Sequence, residues 1–307
     1  MNSSIRSIVR AGLQRGLRVM GIYHGYSGLM AGDFVELDAQ SVSNIIQRGG
    51  TILKTDRAKE FRTPAGRKRA AEAIAANDVD ALVVIGGNGT FQGAELLSQE
   101  HNIPVIGVPS TIDNDLYGTD WTIGYDTAVN TAIYNIDKIR DTAEALERTF
   151  YIEVMGRATG FIALDVGLAT GAEYIAIPER ETRLDVVLKL FERQRATKRS
   201  NIIIVAEGET PGTSALEIAE KVKQMNGMDY RITILGHIQR GGSPTARDRI
   251  LASRLGAFAV DELLAGSSSV MVGEQRGSLC TTPLKESFTR MKPIHEDLVQ
   301  LSGLLSA

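Results

Sequence analysis

The sequence predicts an α/β chain of two doubly wound lobes with largely parallel sheets, and three observations carry that prediction. Short apolar runs, "DALVVIGG", "NIPVIGVP", "TFYIEVMGR", "NIIIVAEG" and "YRITILGH", are rich in Val and Ile with Gly or Pro close behind, the pattern of parallel strands buried on both faces. Between them lie "AGRKRAAEAIAAN", "DTAVNTAIYNIDKIRDTAEAL", "RLDVVLKLFERQRATK" and "DRILASRLGAFAVDELLAG", with apolar residues at helical spacing. Strands alternating with helices call for right-handed crossovers. At 307 residues the chain is long enough for two lobes rather than one small domain.

In chain order, the first element is a helix. In "MNSSIRSIVRAGLQRGL", Ile5, Ile8, Val9 and Leu13 share a face, and Asn2 or Ser3 can cap it. A doubly wound sheet is expected to lead with a strand, so this opening is anomalous. "DALVVIGG" then runs through a glycine-rich turn into "NGTFQGAELL". Glycines let backbone N–H groups approach an anion, and a helix N-terminus behind them favours negative charge. Asn88-Gly89 is also a hairpin signal, but "FQGAELLSQ" has helical composition, which favours phosphate binding. "NIPVIGVP" runs into "STIDNDLYGTD", which sets Asp113 and Asp115 two apart among turn formers. Such a loop needs Asp and Asn for its own backbone, or it holds two carboxylates for chemistry, one as a base and one near a metal.

The later strand ends are also polar. "TFYIEV" ends on Met155-Gly156-Arg157, and an Arg there suits a phosphate through its planar fork, or a surface ion pair. "NIIIVA" ends on Glu207, a hydroxyl acceptor or a turn residue. "YRITILGH" brings His237 and Arg240, followed by Gly-Gly and Pro. Ligands of open α/β sheets bind beyond the carboxyl ends of the strands, so these ends together point to one crevice for phosphates. The carboxylates have no His at ligand spacing, which argues against a protein-caged zinc; Mg²⁺ bridging nucleotide phosphates fits better.

Composition narrows the partners. The net charge is −3, so no global field favours nucleic acid or an anionic membrane. A single cysteine, Cys280, excludes an internal disulfide and a cysteine zinc cluster and suits a reducing cytoplasm. No uninterrupted apolar run is long enough to span a bilayer.

"PSTIDND", "EVMGRATG" and "LGHIQRGGSPTARDRILASRLG" together resemble the bacterial ATP-dependent phosphofructokinases, from Met1 through at least Gly266. The resemblance implies transfer of the γ-phosphoryl group of ATP to the 1-hydroxyl of fructose 6-phosphate, a glycolytic reaction of the cytoplasm. Catalytic roles would fall to Asp113 as general base and to Thr111, Asp115 and Arg157. Arg148, Met155, Gly156, Arg157, Glu207, Arg231, His237 and Arg240 would contact the sugar phosphate, Arg148 and Arg231 from a neighbouring subunit. The ATP side would use Tyr26, Arg57, Gly87, Asn88, Gly89, Thr90 and Gly93, with Asn88 and Asp115 at the Mg²⁺. Arg6, Arg10, Arg140 and Lys198 match cationic positions for an ADP or phosphoenolpyruvate effector. The family implies a homotetramer, a larger ATP-binding lobe of residues 1–124 and 239–288, and a smaller sugar-phosphate lobe of residues 125–238 and 289–307, with the substrate crevice between them.

Donor choice has its own signature. Pyrophosphate-dependent relatives typically carry Asp where this chain has Gly89 and Lys where it has Ser110, so both residues favour ATP, although Ser110 is not the usual Gly. Four departures bear on activity. The family begins with a strand and a Gly-Gly-Asp-x-Pro-Gly loop just before the Met-Asn that opens this sequence; without them apolar neighbours should be exposed and phosphate donors lost. Asn88 stands where many relatives carry an Mg²⁺-linked Asp, which implies weaker metal binding. "LKTDRAKEF" around Arg57 departs from the family pattern. Ala39 replaces an effector-site arginine. The rival functions are a pyrophosphate-dependent phosphofructokinase and a non-catalytic sugar-phosphate-binding protein.

Overall fold

The computed structural model describes residues 1–194, 200–208 and 213–305. Its elements are α1 (Asn2–Gln14), β1 (Met20–Ile22), α2 (Tyr26–Ala31), β2 (Phe34–Glu36), α3 (Pro64–Ala76), β3 (Leu82–Gly86), α4 (Asn88–His101) and β4 (Val105–Pro109). They continue with α5 (Tyr125–Leu146), β5 (Thr149–Val154), α6 (Phe161–Ala169), β6 (Tyr174–Ala176), α7 (Leu184–Gln194), β7 (Asn201–Ala206), α8 (Ala215–Asn226) and β8 (Tyr230–Ile234). The last are α9 (Ala246–Leu264), β9 (Val270–Gln275), β10 (Ser278–Pro283), α10 (Leu284–Thr289) and α11 (Glu296–Leu305).

The chain divides into two compact units. The first comprises Met1–Thr111, Leu116–Gly124 and Gly242–Lys292; the second comprises Ile112–Asp115, Tyr125–Gly241 and the residues from Pro293 onward. The segment Ile112–Asp115, expected in the larger lobe, clusters with the second unit.

The first unit holds a four-stranded sheet of order β10-β9-β4-β3, parallel except for β10. Strand side chains alternate between faces, and the core shows it. Leu82 and Val105, with Val84 beside them, pack with Phe91, Ala94 and Leu97 of α4. Ile106 and Val108, with Val83 and Ile85, pack with Leu251, Ala252 and Leu255 of α9. Apolar residues on both faces leave room for helices on both faces, which is the doubly wound arrangement. Helix α1 lies along α9, and Gly256 admits this approach, since a Cβ there would stand 2.8 Å from the Ser7 Cβ.

Strand β3 pairs only with β4 among the described residues. Its other edge faces an apolar cavity of about 420 Å³ lined by Ile5 and Val9 of α1, Met20 and Ile22 of β1, and Val83 and Ile85. Val83, Val84 and Ile85 are therefore only half-buried. The short antiparallel pair β1–β2 stands apart from the four-stranded sheet.

In the second unit, β6-β7-β5-β8 form an all-parallel sheet. Tyr151, Ile203 and Val205 pack under Ile218, Ala219 and Val222 of α8, while α6 covers β7, and α5 covers β5, from their other sides. Strand β7 is buried at every position, as a strand between two helical layers must be.

The opening helix forms, but neither candidate caps it. The Asn2 side chain donates to the Arg48 and Gly49 carbonyls and accepts from Ile52 N–H at 2.8 Å, and the Ser3 hydroxyl donates to the Ile46 carbonyl. Both are buried inside the first helical turn and fasten the 46–52 loop, with Met1 at the N-cap.

Candidate active site

In the first unit β3 ends at Gly86, and the chain turns through Gly87 into α4, so that Asn88, Gly89 and Thr90 form the first helical turn. The hairpin alternative is thereby excluded. Gly86 is required sterically: a Cβ would lie 2.3 Å from the Thr90 Oγ1. Gly87 faces Thr111 at the end of neighbouring β4, with 3.3 Å between its would-be Cβ and the Thr111 Cβ. At Gly89 an added Cβ meets nothing within 4 Å, so chain packing does not dictate its missing side chain. Gly93 lies under a stacked pair: the rings of Tyr26 and Phe61 are 3.9 Å apart at 6°, and a Cβ would stand 2.9 Å from each. The Tyr26 hydroxyl donates to the Thr90 carbonyl at 2.5 Å, and burial drives its pKa far up. Tyr26 and Gly93 thus support the α4 N-terminus from below. Arg57 is exposed in the loop before α3.

In the second unit β5 ends at the Met155-Gly156-Arg157 turn, where three consecutive N–H groups are taken by two side chains. The Gln239 Oε1 accepts from Met155 at 3.0 Å, and the Glu207 Oε1 accepts from Gly156 at 3.4 Å and Arg157 at 3.1 Å. Arg157 is left-handed, φ 55°, and exposed. Gly156 has φ 150°, and a Cβ there would be 2.6 Å from the Thr159 carbonyl oxygen, so only glycine suits. The Thr159 hydroxyl lies 3.0 Å from the Gly156 carbonyl and 3.3 Å from that of Asp113. Asp113 is only 5% exposed, and Asn114 behind it is left-handed. His237 and Arg240 are exposed on the 3-10 turn Gly236–Arg240 that follows β8. Strand order brings Met155–Arg157, Glu207, His237 and Arg240 to one end of this unit, and the Thr159 hydroxyl ties the Asp113 backbone to the same turn.

The family model for phosphofructokinase matches residues 1–263. The chain is 55% identical to ATP-dependent 6-phosphofructokinase 1 of Thermus thermophilus, covering all of this chain and 95% of that protein. The chain belongs to the phosphofructokinase family. It is 52% identical to the ATP-dependent 6-phosphofructokinase of Cytophaga hutchinsonii, over all of this chain and 94% of the relative. Among solved structures, phosphofructokinase from Saccharomyces cerevisiae matches with a TM-score of 0.89 at 34% identity, over 99% of this chain and 45% of the yeast chain. The chain thus spans under half of that yeast polypeptide. The pyrophosphate-dependent phosphofructokinase from Marinobacter aquaeolei shares the fold, with a TM-score of 0.83 at 23% identity over 100% of this chain and 88% of the other.

Within this phosphofructokinase family member, Arg148 and Arg231 do not join the other residues that the sequence assigns to the sugar phosphate. Arg148 precedes β5, and Arg231 is paired with Phe150 near the start of that strand. At about 3.3 Å per residue, the length of β5 sets them roughly 20 Å from the Met155–Arg157 turn. The Asp229 carboxyl lies near both and is held below its usual range, first by its hydrogen bond to Lys223 and further by Arg231 and Arg148. Of the effector candidates, Arg6 and Arg10 stand one turn apart on α1. Arg140 donates to the Thr170 and Gly171 carbonyls at the end of α6 and lies 3.8 Å from Glu173. Lys198 lies outside the described residues.

Among the described residues no three His, Cys, Asp or Glu side chains gather into a metal cage. Asn88 in the first unit and Asp115 in the second carry side-chain oxygens, the ligand type that Mg²⁺ takes alongside phosphates and water. Gln239 and Thr159 were not legible as site residues. Their bonds reach 84 and 46 residues along the chain, and no local pattern signals that.

Proposed function

We propose that this chain transfers the γ-phosphoryl group of ATP to the 1-hydroxyl of fructose 6-phosphate, as an ATP-dependent 6-phosphofructokinase of cytoplasmic glycolysis. The observation that carries the reading is Asp113, 5% exposed and linked through Thr159 to the Met155-Gly156-Arg157 turn; identity to relatives of that activity supports it. Asp113 accepts the proton of the sugar hydroxyl as the oxygen attacks. Phosphoryl transfer needs little covalent help and much positioning and charge neutralisation, so the exposed Arg157 guanidinium answers charge on the moving phosphoryl group. His237 and Arg240 hold the sugar phosphate, and Glu207, whose Oε1 already accepts two amides, keeps its other oxygen for a sugar hydroxyl. In the first unit, Gly87 to Thr90 present the α4 N-terminus to the ATP phosphates, and Thr111 stands beside Gly87. When bound through Asp115 and Asn88, Mg²⁺ supplies positive charge against the phosphates. Arg148 and Arg231 serve the 6-phosphate of a neighbouring copy in a homotetramer, and Arg6 and Arg10 remain for an ADP or phosphoenolpyruvate effector.

Gly89 supports ATP over pyrophosphate as donor. A side chain there clashes with nothing in the chain, so the open space is left to the nucleotide. The test is formation of fructose 1,6-bisphosphate with ATP or pyrophosphate as donor, beside Asp113→Ala. Turnover with ATP that Asp113→Ala abolishes supports the reading. Turnover with pyrophosphate alone overturns the donor, and binding of fructose 6-phosphate without turnover makes the chain a sugar-phosphate-binding protein.

A further inference from the structure

We infer that Gln239 is a positioning residue for the sugar-phosphate cradle, tying the 3-10 turn that carries His237 and Arg240 to the turn that carries Arg157. The inference rests on the reading of that cradle given above. Gln239 is 1% exposed, between the exposed Ile238 and Arg240. Its Oε1 accepts the Met155 N–H at 3.0 Å, and its Nε2 is buried with no hydrogen-bond partner among the described residues. A side chain present only to fill space would be better as Met, of similar length and without a stranded amide donor. The amide is therefore retained for what its oxygen does.

That oxygen completes a set. Glu207 fastens the next two amides, 156 and 157, from the end of β7, and Gln239 fastens 155 from the turn after β8. The held backbone includes a left-handed Arg157 and a Gly156 that no other residue can replace, conformations that persist only where the surroundings enforce them. Without Gln239 the Met155 N–H is left unpaired beneath the turn, and Arg157 and the His237–Arg240 pair lose their common reference. The geometry of all three toward one sugar phosphate then loosens together.

The experiment compares Gln239→Met and Gln239→Glu with the unmodified chain. Gln239→Met should raise KM for fructose 6-phosphate about tenfold, the scale of one lost buried hydrogen bond, with KM for ATP unchanged. Hydrogen exchange at the Met155 amide should accelerate by a similar factor. Gln239→Glu keeps the accepting oxygen, and its carboxyl, when protonated, is nearly isosteric with the amide. Burial raises a carboxyl pKa, so its KM should approach that of the unmodified chain, compared at each pH, as pH falls from about 8 to 6. A general folding defect would shift both KM values and give no such pH recovery. Unchanged KM for fructose 6-phosphate, or unchanged Met155 exchange, in a folded Gln239→Met variant overturns the inference. Should the Met variant not fold, a fructose 6-phosphate KM that is raised in Gln239→Glu at pH 8 and does not recover as pH falls overturns it as well. Failure of the unmodified chain to bind fructose 6-phosphate sinks the functional reading instead, and Met155 exchange still decides whether the tether exists.

Discussion

Asp113 and Gly89 show what one residue can decide. Asp113→Asn keeps the shape and hydrogen-bonding capacity of the side chain but cannot take a proton. With ATP and fructose 6-phosphate, kcat should fall by about 10²- to 10⁴-fold, the usual contribution of a general base, with the melting temperature nearly unchanged. A comparable kcat would mean that the base lies elsewhere. Gly89→Asp separates fold from function in another way. Its Cβ meets nothing within 4 Å and the position lies in the first turn of α4, where a carboxylate is favourable to the helix dipole. Stability should hold or rise slightly while KM for ATP rises at least about tenfold, since one charge now faces another anion. A loss of stability together with activity would show that the helix end, not the donor, had been disturbed. At this scale the sequence was informative wherever a strand end carries a reactive side chain: Asp113, Arg157, His237 and Arg240 stand out as candidates by type and position. Gln239, Thr159 and Gly86 were not, because they serve distant backbone or a neighbouring side chain.

Among the elements, parallel strands were the most legible, since burial on both faces writes itself as an unbroken Val and Ile run. The missed strands lack that signature. β1, β2 and β6 have three residues each, too few for any period. The β9–β10 hairpin did leave a signal in Arg276-Gly277, whose φ values of 50° and 81° belong to a two-residue turn with both centres left-handed. Strand β3 allows a direct test. Leu82 N–H donates to Pro104 and the Gly86 carbonyl accepts from Ser110, so the even-numbered residues face β4, while Val83 and Ile85 direct their backbone groups to the cavity edge. The amides of Val83 and Ile85 should exchange at least about tenfold faster than those of Leu82 and Val84. Equal protection would mean that this edge is covered. Helices α3 and α4 are joined by Arg67, whose nearly buried guanidinium makes two bonds to Glu100, at 2.6 and 2.7 Å, and two to the Phe61 and Arg62 carbonyls. The hydrogen bond from Arg67 holds the Glu100 carboxyl below its ordinary value. Its stabilisation is therefore complete above the unfolded-state pKa of about 4.3 and is lost as pH falls through the lowered folded value. Glu100→Gln should cost about 1–3 kcal/mol near neutral pH, read as a lower urea midpoint, and the difference from the unmodified chain should shrink as the pH falls below 4. A difference independent of pH would assign the cost to packing.

For the whole molecule, the decisive placement is that of Arg148 and Arg231. Both sit at the start of their strands, while Asp113, Arg157, His237 and Arg240 gather where the strands end. The length of β5, about 20 Å, exceeds the reach of an arginine side chain, so Arg148 and Arg231 do not meet His237 and Arg240 of the same second unit at a single phosphate group. If all of them serve one substrate, two copies of the chain must share it, and symmetric association makes every such site identical. Arg148→Ala and Asp113→Ala should each be inactive alone, for different reasons. Unfolded together in equal amounts and refolded, the two should regain activity. A site is whole only when its base comes from an Arg148→Ala chain and its arginine from an Asp113→Ala chain, which random mixing gives in about a quarter of sites for closed symmetric oligomers. Recovery near that fraction requires the shared site. No recovery from mixed chains that sediment as oligomers would return Arg148 and Arg231 to the surface cluster they form with Lys223 and Asp229, with no part in binding the sugar.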